Sequence, residues 1–128
     1  MLDKESIDGE LVIRTLAMPS DTNINGDIFG GWIISQMDIG GSIAAHKVTK
    51  AKSVTVAIDS MKFISPVAIG DVICIYAKQN KIGKTSVSFH IKTYVTRRNT
   101  GIRELVTEAD FIYVKIGENG TPSKIQLN

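Results

Sequence analysis

Apolar and polar residues follow two different periods along this chain, and the change of period divides it. Between Glu10 and Met18, β-branched and aliphatic residues form a strand-like run, closed by Pro19 and the polar stretch Ser20-Asp21-Thr22-Asn23. That stretch and Asn25-Gly26-Asp27 have loop chemistry: short side chains that bond nearby backbone, and a glycine free to take positive φ. From about Phe29 to Lys47 the chain has helix length and no proline. Alternation with period two then takes over. Val54, Val56 and Ile58 alternate with Thr55, Ala57 and Asp59 in a strand from Ser53 to Phe63, and Pro66 and Gly70-Asp71 mark the turn that follows. Val72 to Lys81 is the next strand, Ile82-Gly83-Lys84 a tight connection, and Thr85 to Val95 a strand alternating Val87, Phe89 and Ile91 with Ser88, His90 and Lys92. After the polar turn Arg97-Arg98-Asn99-Thr100-Gly101, a last strand runs from Glu104 to Ile116, and Asn119-Gly120 and Pro122 close the fold.

The predicted order is strand, long helix, four strands, which reads as one α+β domain over residues 1–128 with loose ends at 1–9 and 117–128. The helix is apolar almost all round, with Ile33, Ile34, Met37, Ile39, Ile43, Ala44 and Ala45 in every quadrant. A helix of that kind is buried on all sides. A single sheet wrapped around it leaves one flank open, so a second copy of the chain is expected to supply the rest and the working unit to be a homodimer.

Bulk properties narrow this picture without redirecting it. Hydrophobic residues make up 43% and charged residues 22%, an ordinary globular balance. The formal net charge of +2 gives no general reason to expect nucleic acid. The lone cysteine, Cys74, sits in the apolar run Val72-Ile73-Cys74-Ile75 and reads as a small buried hydrophobe. The charged opening Met1-Leu2-Asp3-Lys4-Glu5 is unlike a signal peptide. The longest apolar stretch, Ile28 to Ala45, is interrupted by Gln36, Asp38 and glycines and is not a membrane span. A cytoplasmic protein is expected.

The densest chemistry lies in Asp21-Thr22-Asn23-Ile24-Asn25-Gly26-Asp27-Ile28-Phe29-Gly30-Gly31-Trp32 and, just beyond, Ser35-Gln36-Met37-Asp38. Gly30-Gly31 stand where loop becomes helix, and the first amides of a helix lack internal partners and carry the positive end of its dipole. They suit a developing oxyanion or a polarised carbonyl. They equally suit tight packing of the helix on the sheet. Asp27 is expected to cap the helix start. Asp38 is the stronger oddity, a carboxylate between Met37 and Ile39 in a segment built for burial. Such a group must be paired or hydrogen-bonded, either structurally or as a base held in a dry cleft. Seven residues separate Gly31 from Asp38, close to two turns. At a rise of about 1.5 Å per residue they lie roughly 10 Å apart along the axis. One carbonyl carbon cannot be served by both from the same helix, so if both act on one carbonyl they come from different chains.

The pattern Asp-Thr-Asn-x-x-Gly-Asp-x-Phe-Gly-Gly-Trp, followed by Met37-Asp38, resembles the YciA-type acyl-CoA thioesterases. The similarity continues through Val54 to Phe63, Pro66-Val67, Gly70-Asp71-Val72 and Gly83-Lys84-Thr85-Ser86, covering roughly residues 10–116. This resemblance implies a hotdog fold, one long helix wrapped by a five- to six-stranded antiparallel sheet, working as dimers and often as trimers of dimers. It implies hydrolysis of acyl-CoA to free acid and CoA, with no metal or organic cofactor; coenzyme A enters as part of the substrate. Asp38 matches the family's helix aspartate, general base or nucleophile. Asn23 matches the motif asparagine that orients water or carboxylate, and Gly30-Gly31 the pair whose amide polarises the thioester carbonyl. Thr55 and Ser60 fall in the strand expected to approach the site across the dimer. Where some relatives carry histidine before the paired glycines this chain has Phe29, a substrate-binding candidate that leaves the acid–base work to Asp38.

Other signals are weaker. Gly83-Lys84-Thr85-Ser86 lacks the earlier glycine of a phosphate loop, position 78 being Lys78, and joins two strands. Gly83, Lys84 and Thr85 stay as candidates for a CoA phosphate, as do Arg97 and Arg98, whose planar guanidinium matches phosphate geometry. His46 and His90 have no metal-ligand spacing, and no G-x-S-x-G is present. Trp32 is expected to pack between helix and sheet. Two rivals remain open: a hotdog hydratase or dehydratase, which would lean on a site histidine, and a non-catalytic acyl-CoA-binding module.

Overall fold

The computed structural model describes residues 7–127; the charged opening, most of the expected lead-in and the final residue lie outside it. In chain order the elements are β1 (Glu10–Leu16), a short 3-10 turn (Pro19–Asp21), α1 (Gly30–Thr49), β2 (Ser53–Phe63), β3 (Val72–Ile82), β4 (Ser86–Thr96) and β5 (Arg103–Lys115). The strands form one sheet in the order β1-β3-β4-β5-β2 with every neighbouring pair antiparallel. This is the α+β arrangement expected, with five strands and element ends shifted by a residue or two. The helix ends at Lys50, whose left-handed φ of 54° turns the chain while its N–H donates to the His46 carbonyl at 2.7 Å.

Strand alternation decides what lies under the helix. Along β4 buried and half-buried residues alternate over the whole strand, and Val87, Phe89, Ile91, Thr93 and Val95 point inward. Phe111 and Tyr113 of β5 and Ile73 and Ile75 of β3 complete the floor against which Met37, Ala44 and Ala45 of α1 pack. The helix can come this close because Gly40 and Gly41 face the sheet. A Cβ on Gly41 would stand 2.0 Å from the Tyr113 Oη and 2.7 Å from the Ile91 Cδ1; one on Gly40 would stand 2.6 Å from the Val12 Cγ2. Glycine in mid-helix costs about 1 kcal/mol of helix propensity relative to alanine, which the close contact must outweigh. Trp32 packs against the core as expected, and Cys74 is buried, with the Arg14 Nε–H donating to its Sγ at 3.3 Å.

One flank stays open. Ile39 and Ile43 on the outer face of α1 are 49% and 43% exposed, so one chain by itself does not bury this helix all round. Next to it β2 forms the sheet's edge, with Val54, Val56 and Ile58 exposed. At the other end the structure corrects an expectation: residues 117–127 are not loose. Ile116 bridges to Pro122, the Ser123 N–H donates to the Lys115 carbonyl at 2.8 Å, and the Ile125 N–H to the Lys84 carbonyl at 2.7 Å. Ile125 itself is 3% exposed. Backbone hydrogen bonds and one buried isoleucine together anchor this polar tail.

The outer face of the sheet carries a charge cluster. His90 on β4 has Nδ1 2.6 Å from the Asp110 Oδ1 and Nε2 2.8 Å from the Glu108 Oε1, both on β5. Lys78 lies across from it on β3, itself paired with Asp8, and Lys92 lies two residues along β4. Partial burial disfavours the imidazolium, but the two carboxylates, Asp110 foremost, outweigh it, so the His90 pKa is raised. A raised histidine pKa stabilises the fold fully below the unfolded-state value of about 6.5, and the contribution fades as pH rises through the folded value. Urea unfolding of the wild type and His90→Gln at a series of pH values from 6 to 9 should show the wild type's advantage shrinking upward across that window. A constant difference would contradict the ion-pair account.

Candidate active site

Asp38 lies on the face of α1 that meets the sheet, and two hydroxyls hold it. The Thr55 Oγ1–H of β2 donates to the Asp38 Oδ1 at 2.6 Å. The Tyr113 Oη–H of β5 reaches the same Oδ1 at 3.0 Å, with the Asp38 carbonyl at 3.2 Å. The carboxylate in an apolar helix is therefore bonded as burial demands. Burial, together with the Asp38 charge and the hydrogen bond to it, holds the Tyr113 phenol far above its ordinary pKa, so it remains a proton donor. Thr55 was expected to approach the site from a partner chain; it bonds Asp38 of its own chain, because β2 follows α1 and folds directly back beside it. Tyr113 was not singled out in the sequence. It occupies an inward position of a period-two strand, where an aromatic residue reads as core, and only its opposition to Gly41 gives the hydroxyl away.

The helix start departs from one expectation. Its N-cap is Phe29, and no side chain caps it. Asp27 is thus not the cap: its carbonyl accepts from the Asn23 N–H at 2.7 Å, and its N–H turns back to the Asn23 Oδ1 at 3.2 Å. The Asn23 Oδ1 also accepts from the Asn25 N–H at 2.8 Å. Its side-chain oxygen thus shapes the loop, and the residue is exposed. The Phe29 ring, itself exposed, lies over Gly31 with a ring atom 2.8 Å from where a Cβ would be, so a side chain there would push the ring aside. Beside Gly30 lies a cavity of about 300 Å³ lined by Ile28, Ile33, Phe63, Ile64 and Pro66 among others. The apolar walls and the unclaimed end of the helix dipole lie side by side.

Comparison with known proteins places this arrangement. A family model described as the thioesterase superfamily matches residues 25–101. The acyl-CoA thioester hydrolase YciA of Salmonella typhimurium is 53% identical over 122 residues, 93% of this chain and 92% of its own. The chain belongs to this thioesterase family. A hexameric thioesterase from Yersinia pestis superimposes with a TM-score of 0.91 at 48% identity, covering 96% of this chain and all of that one. A hexameric hotdog fold thioesterase of Campylobacter jejuni superimposes with a TM-score of 0.85 at 40% identity, over 92% and 91%. The fold of this thioesterase is accordingly the hotdog fold. The matched span includes Asp38 and both glycines and stops short of Tyr113.

The remaining candidates of the thioesterase do not all gather at Asp38. Ser60, at the second of two register shifts in β2, has a left-handed φ of 56°, a strained state for a non-glycine residue, three positions before the cavity-lining Phe63. Gly83, Lys84 and Thr85 lie at the far end of the sheet: the Thr85 carbonyl accepts from the Lys115 N–H at 2.8 Å, and Lys115 is opposite Ser53, whereas Gly30 lies against Phe63. Arg97 is engaged inside the chain. Its Nη1 donates to the Asp71 Oδ2 at 2.7 Å and the Pro66 carbonyl at 2.8 Å, its Nη2 to the Ser65 Oγ at 3.0 Å and the Glu104 Oε1 at 3.2 Å, and its Nε to the Glu104 Oε2 at 3.0 Å. All five N–H groups are used to hold the loop that walls the cavity, so of the two arginines it is the exposed Arg98 that can reach an outside phosphate. His90 is bound to its carboxylates on the outer face, and His46 is exposed near the helix end, so neither histidine touches Asp38. Among the described residues no group of three or more His, Cys, Asp or Glu could hold a metal, and no helix is long and apolar enough to cross a membrane.

The two arginines should behave oppositely. Asp71 is 2% exposed, and removing one partner of a buried pair typically costs about 3–5 kcal/mol. Arg97→Ala should lower unfolding stability on that scale, while Arg98→Ala should stay within about 0.5 kcal/mol of the wild type. Denaturant titration of both variants checks this, and equal stabilities would remove the clamp.

Proposed function

We propose that this chain hydrolyses acyl-CoA thioesters through Asp38, in sites completed between two copies of the chain. The observation that supports it most directly is Asp38 itself, held at the helix–sheet junction by Thr55 and Tyr113 and lying about two helical turns beyond the uncapped amides of Gly30-Gly31. At roughly 1.5 Å rise per residue the two features of one helix remain about 10 Å apart, too far to share one carbonyl carbon. A second copy laid against Ile39, Ile43 and the β2 edge brings its own helix start beside Asp38. The thioester carbonyl then rests on the partner's Gly31 N–H, where donors stabilise the negative charge that develops on oxygen. Asp38 takes a proton from water, whose oxygen bonds the carbonyl carbon as the C–S bond breaks and the CoA thiolate leaves. Direct attack by the carboxylate, giving an anhydride that water then opens, uses the same geometry. The Asn23 NH2 orients the water.

The cavity beside Gly30 and Phe63 takes an apolar part of the substrate, with Phe29 and Ser60 at its approaches. Arg98 and the Gly83-Lys84-Thr85 turn are the sites offered to CoA phosphates, the turn serving a ligand that extends toward the far end of the sheet. No metal or organic cofactor is needed for this chemistry. The hexamers described for the solved neighbours agree with a trimer of such dimers. Neither histidine is placed to serve a hydratase.

General-base catalysis contributes about 10²–10⁴-fold, so Asp38→Asn should lose activity on acyl-CoA by at least that order with its fold intact. Thiol release and circular dichroism together measure this; near-full turnover in the variant would end the assignment. The shared site has a test of its own. Mixing Asp38→Asn chains with Gly31→Val chains should restore activity, because one of the two sites in a mixed dimer has an intact half from each copy. If the mixed dimers, isolated by two different affinity tags, are as inactive as their parents, the site is not shared.

A further inference from the structure

The two donors at Asp38 converge on one oxygen. Thr55 and Tyr113 both reach Oδ1, and among the described residues no protein donor is found at Oδ2. A carboxylate bonded this way is held in rotation about its last torsion, with one oxygen tied to the sheet and the other turned away from both hydroxyls. Tyr113 is wholly buried and its ring is fixed by Phe89, edge-on at 6.3 Å, and by Phe111, stacked at 6.4 Å. The hydroxyl therefore cannot swing, and its single proton goes to the charged oxygen in preference to the Asp38 carbonyl, which the helix already uses. Gly41 is the counterpart on the helix: any side chain there would occupy the position of the Tyr113 Oη, 2.0 Å from a Cβ.

We propose that Tyr113 is a positioning residue of the thioesterase, selecting Oδ2 of Asp38 as the oxygen that meets water or the thioester, and that Gly41 is the clearance that lets it do so. This rests on the reading of Asp38 as the reacting carboxylate. Tyr113 touches no reacting atom. It acts through Oδ1, by holding the carboxylate in one rotamer before substrate arrives, which preorganises the reacting oxygen rather than binding the acyl group. Thr55 supplies the second anchor from the edge strand, exposed where Tyr113 is buried. The pair is unequal: Thr55 can rotate about its χ1 and Tyr113 cannot, so the fixed reference is the phenol.

The variant Tyr113→Phe keeps the ring and removes the hydroxyl. Losing one hydrogen bond to a charged group corresponds to roughly 10- to 100-fold, so kcat for acyl-CoA should fall by about that factor with KM little changed. Ser42 and Thr55 also hydrogen-bond the phenol, but the proposed effect on the reaction runs through Asp38, so Tyr113→Phe in an Asp38→Asn background should leave the residual rate where Asp38→Asn alone puts it. Gly41→Ala should also lower kcat by crowding the phenol off the carboxylate; because it presses on Ile91 as well, its thermal unfolding is measured beside it and the conclusion is drawn from Tyr113→Phe. Wild-type kcat in Tyr113→Phe, alongside an inactive Asp38→Asn, would overturn the positioning role and leave Asp38 standing. A further fall when Tyr113→Phe is added to Asp38→Asn, or a rise in KM matching the loss, would show a structural or binding role instead. Full activity in Asp38→Asn would remove the parent reading, a result separable from all of these.

Discussion

A carboxylate lodged between an apolar helix and the sheet it lies on must find donors within reach or push the two layers apart. In this protein the requirement is met at one point, the Asp38 Oδ1, by hydroxyls from β2 and β5. The rest of the architecture follows from keeping that point closed. The helix must approach the sheet closely enough for a phenol to span the gap, which the absence of side chains at Gly40 and Gly41 allows. The phenol must enter from below, which needs β5 inside the sheet between β4 and β2, with Tyr113 on its inward face. The threonine must come from the side, so the strand next to β5 has to be the one that follows the helix. Strand order, helix height and the orientation of one side chain are thus a single arrangement.

Much of this was legible in the residues because it is local. Period-two alternation gave the strands, the loop chemistry of residues 20–27 gave the helix start, and an aspartate between Met37 and Ile39 pointed to itself. What escaped was set by contacts between distant parts of the chain. Thr55 is an ordinary outward member of an alternating strand until that strand is folded beside the helix. Tyr113 is indistinguishable from core until a glycine on another element is seen to lie over its hydroxyl. Arg97 sits in a turn, as solvated arginines do, yet its partners lie at positions 65, 66, 71 and 104, a set no pattern around position 97 announces. Asp27 satisfied the rule for a helix cap but was closer, in its loop, to Asn23. The tail looked polar on average, and the average hid Ile125.

The ends of the molecule are fastened by different means. Near the helix start, a guanidinium knits the 65–71 loop to β5 through ionic hydrogen bonds, fixing the wall of the cavity beside Gly30. At the opposite end the β3–β4 connection is held by backbone bonds to the tail and one buried isoleucine. Charge-assisted bonds hold their geometry more tightly than apolar contact does, and they stand where a wall must keep its shape. The looser fastening falls at the far end, where the candidate phosphate-contacting turn lies.

The bare edge of β2 carries one more consequence. A strand paired on one side only and carrying exposed Val54, Val56 and Ile58 is a template for indiscriminate strand pairing. Irregularities between Thr55 and Ala57 and between Asp59 and Lys62, the second with the left-handed Ser60, break the regularity of the edge, but its apolar side chains stay exposed between and around them. If a sister chain covers this edge to complete the site, one event both assembles the catalyst and hides its most aggregation-prone surface. Dilution would then remove both benefits together, leaving separated chains idle and adhesive. Selection for solubility and selection for turnover would act on the same residues, in the same direction.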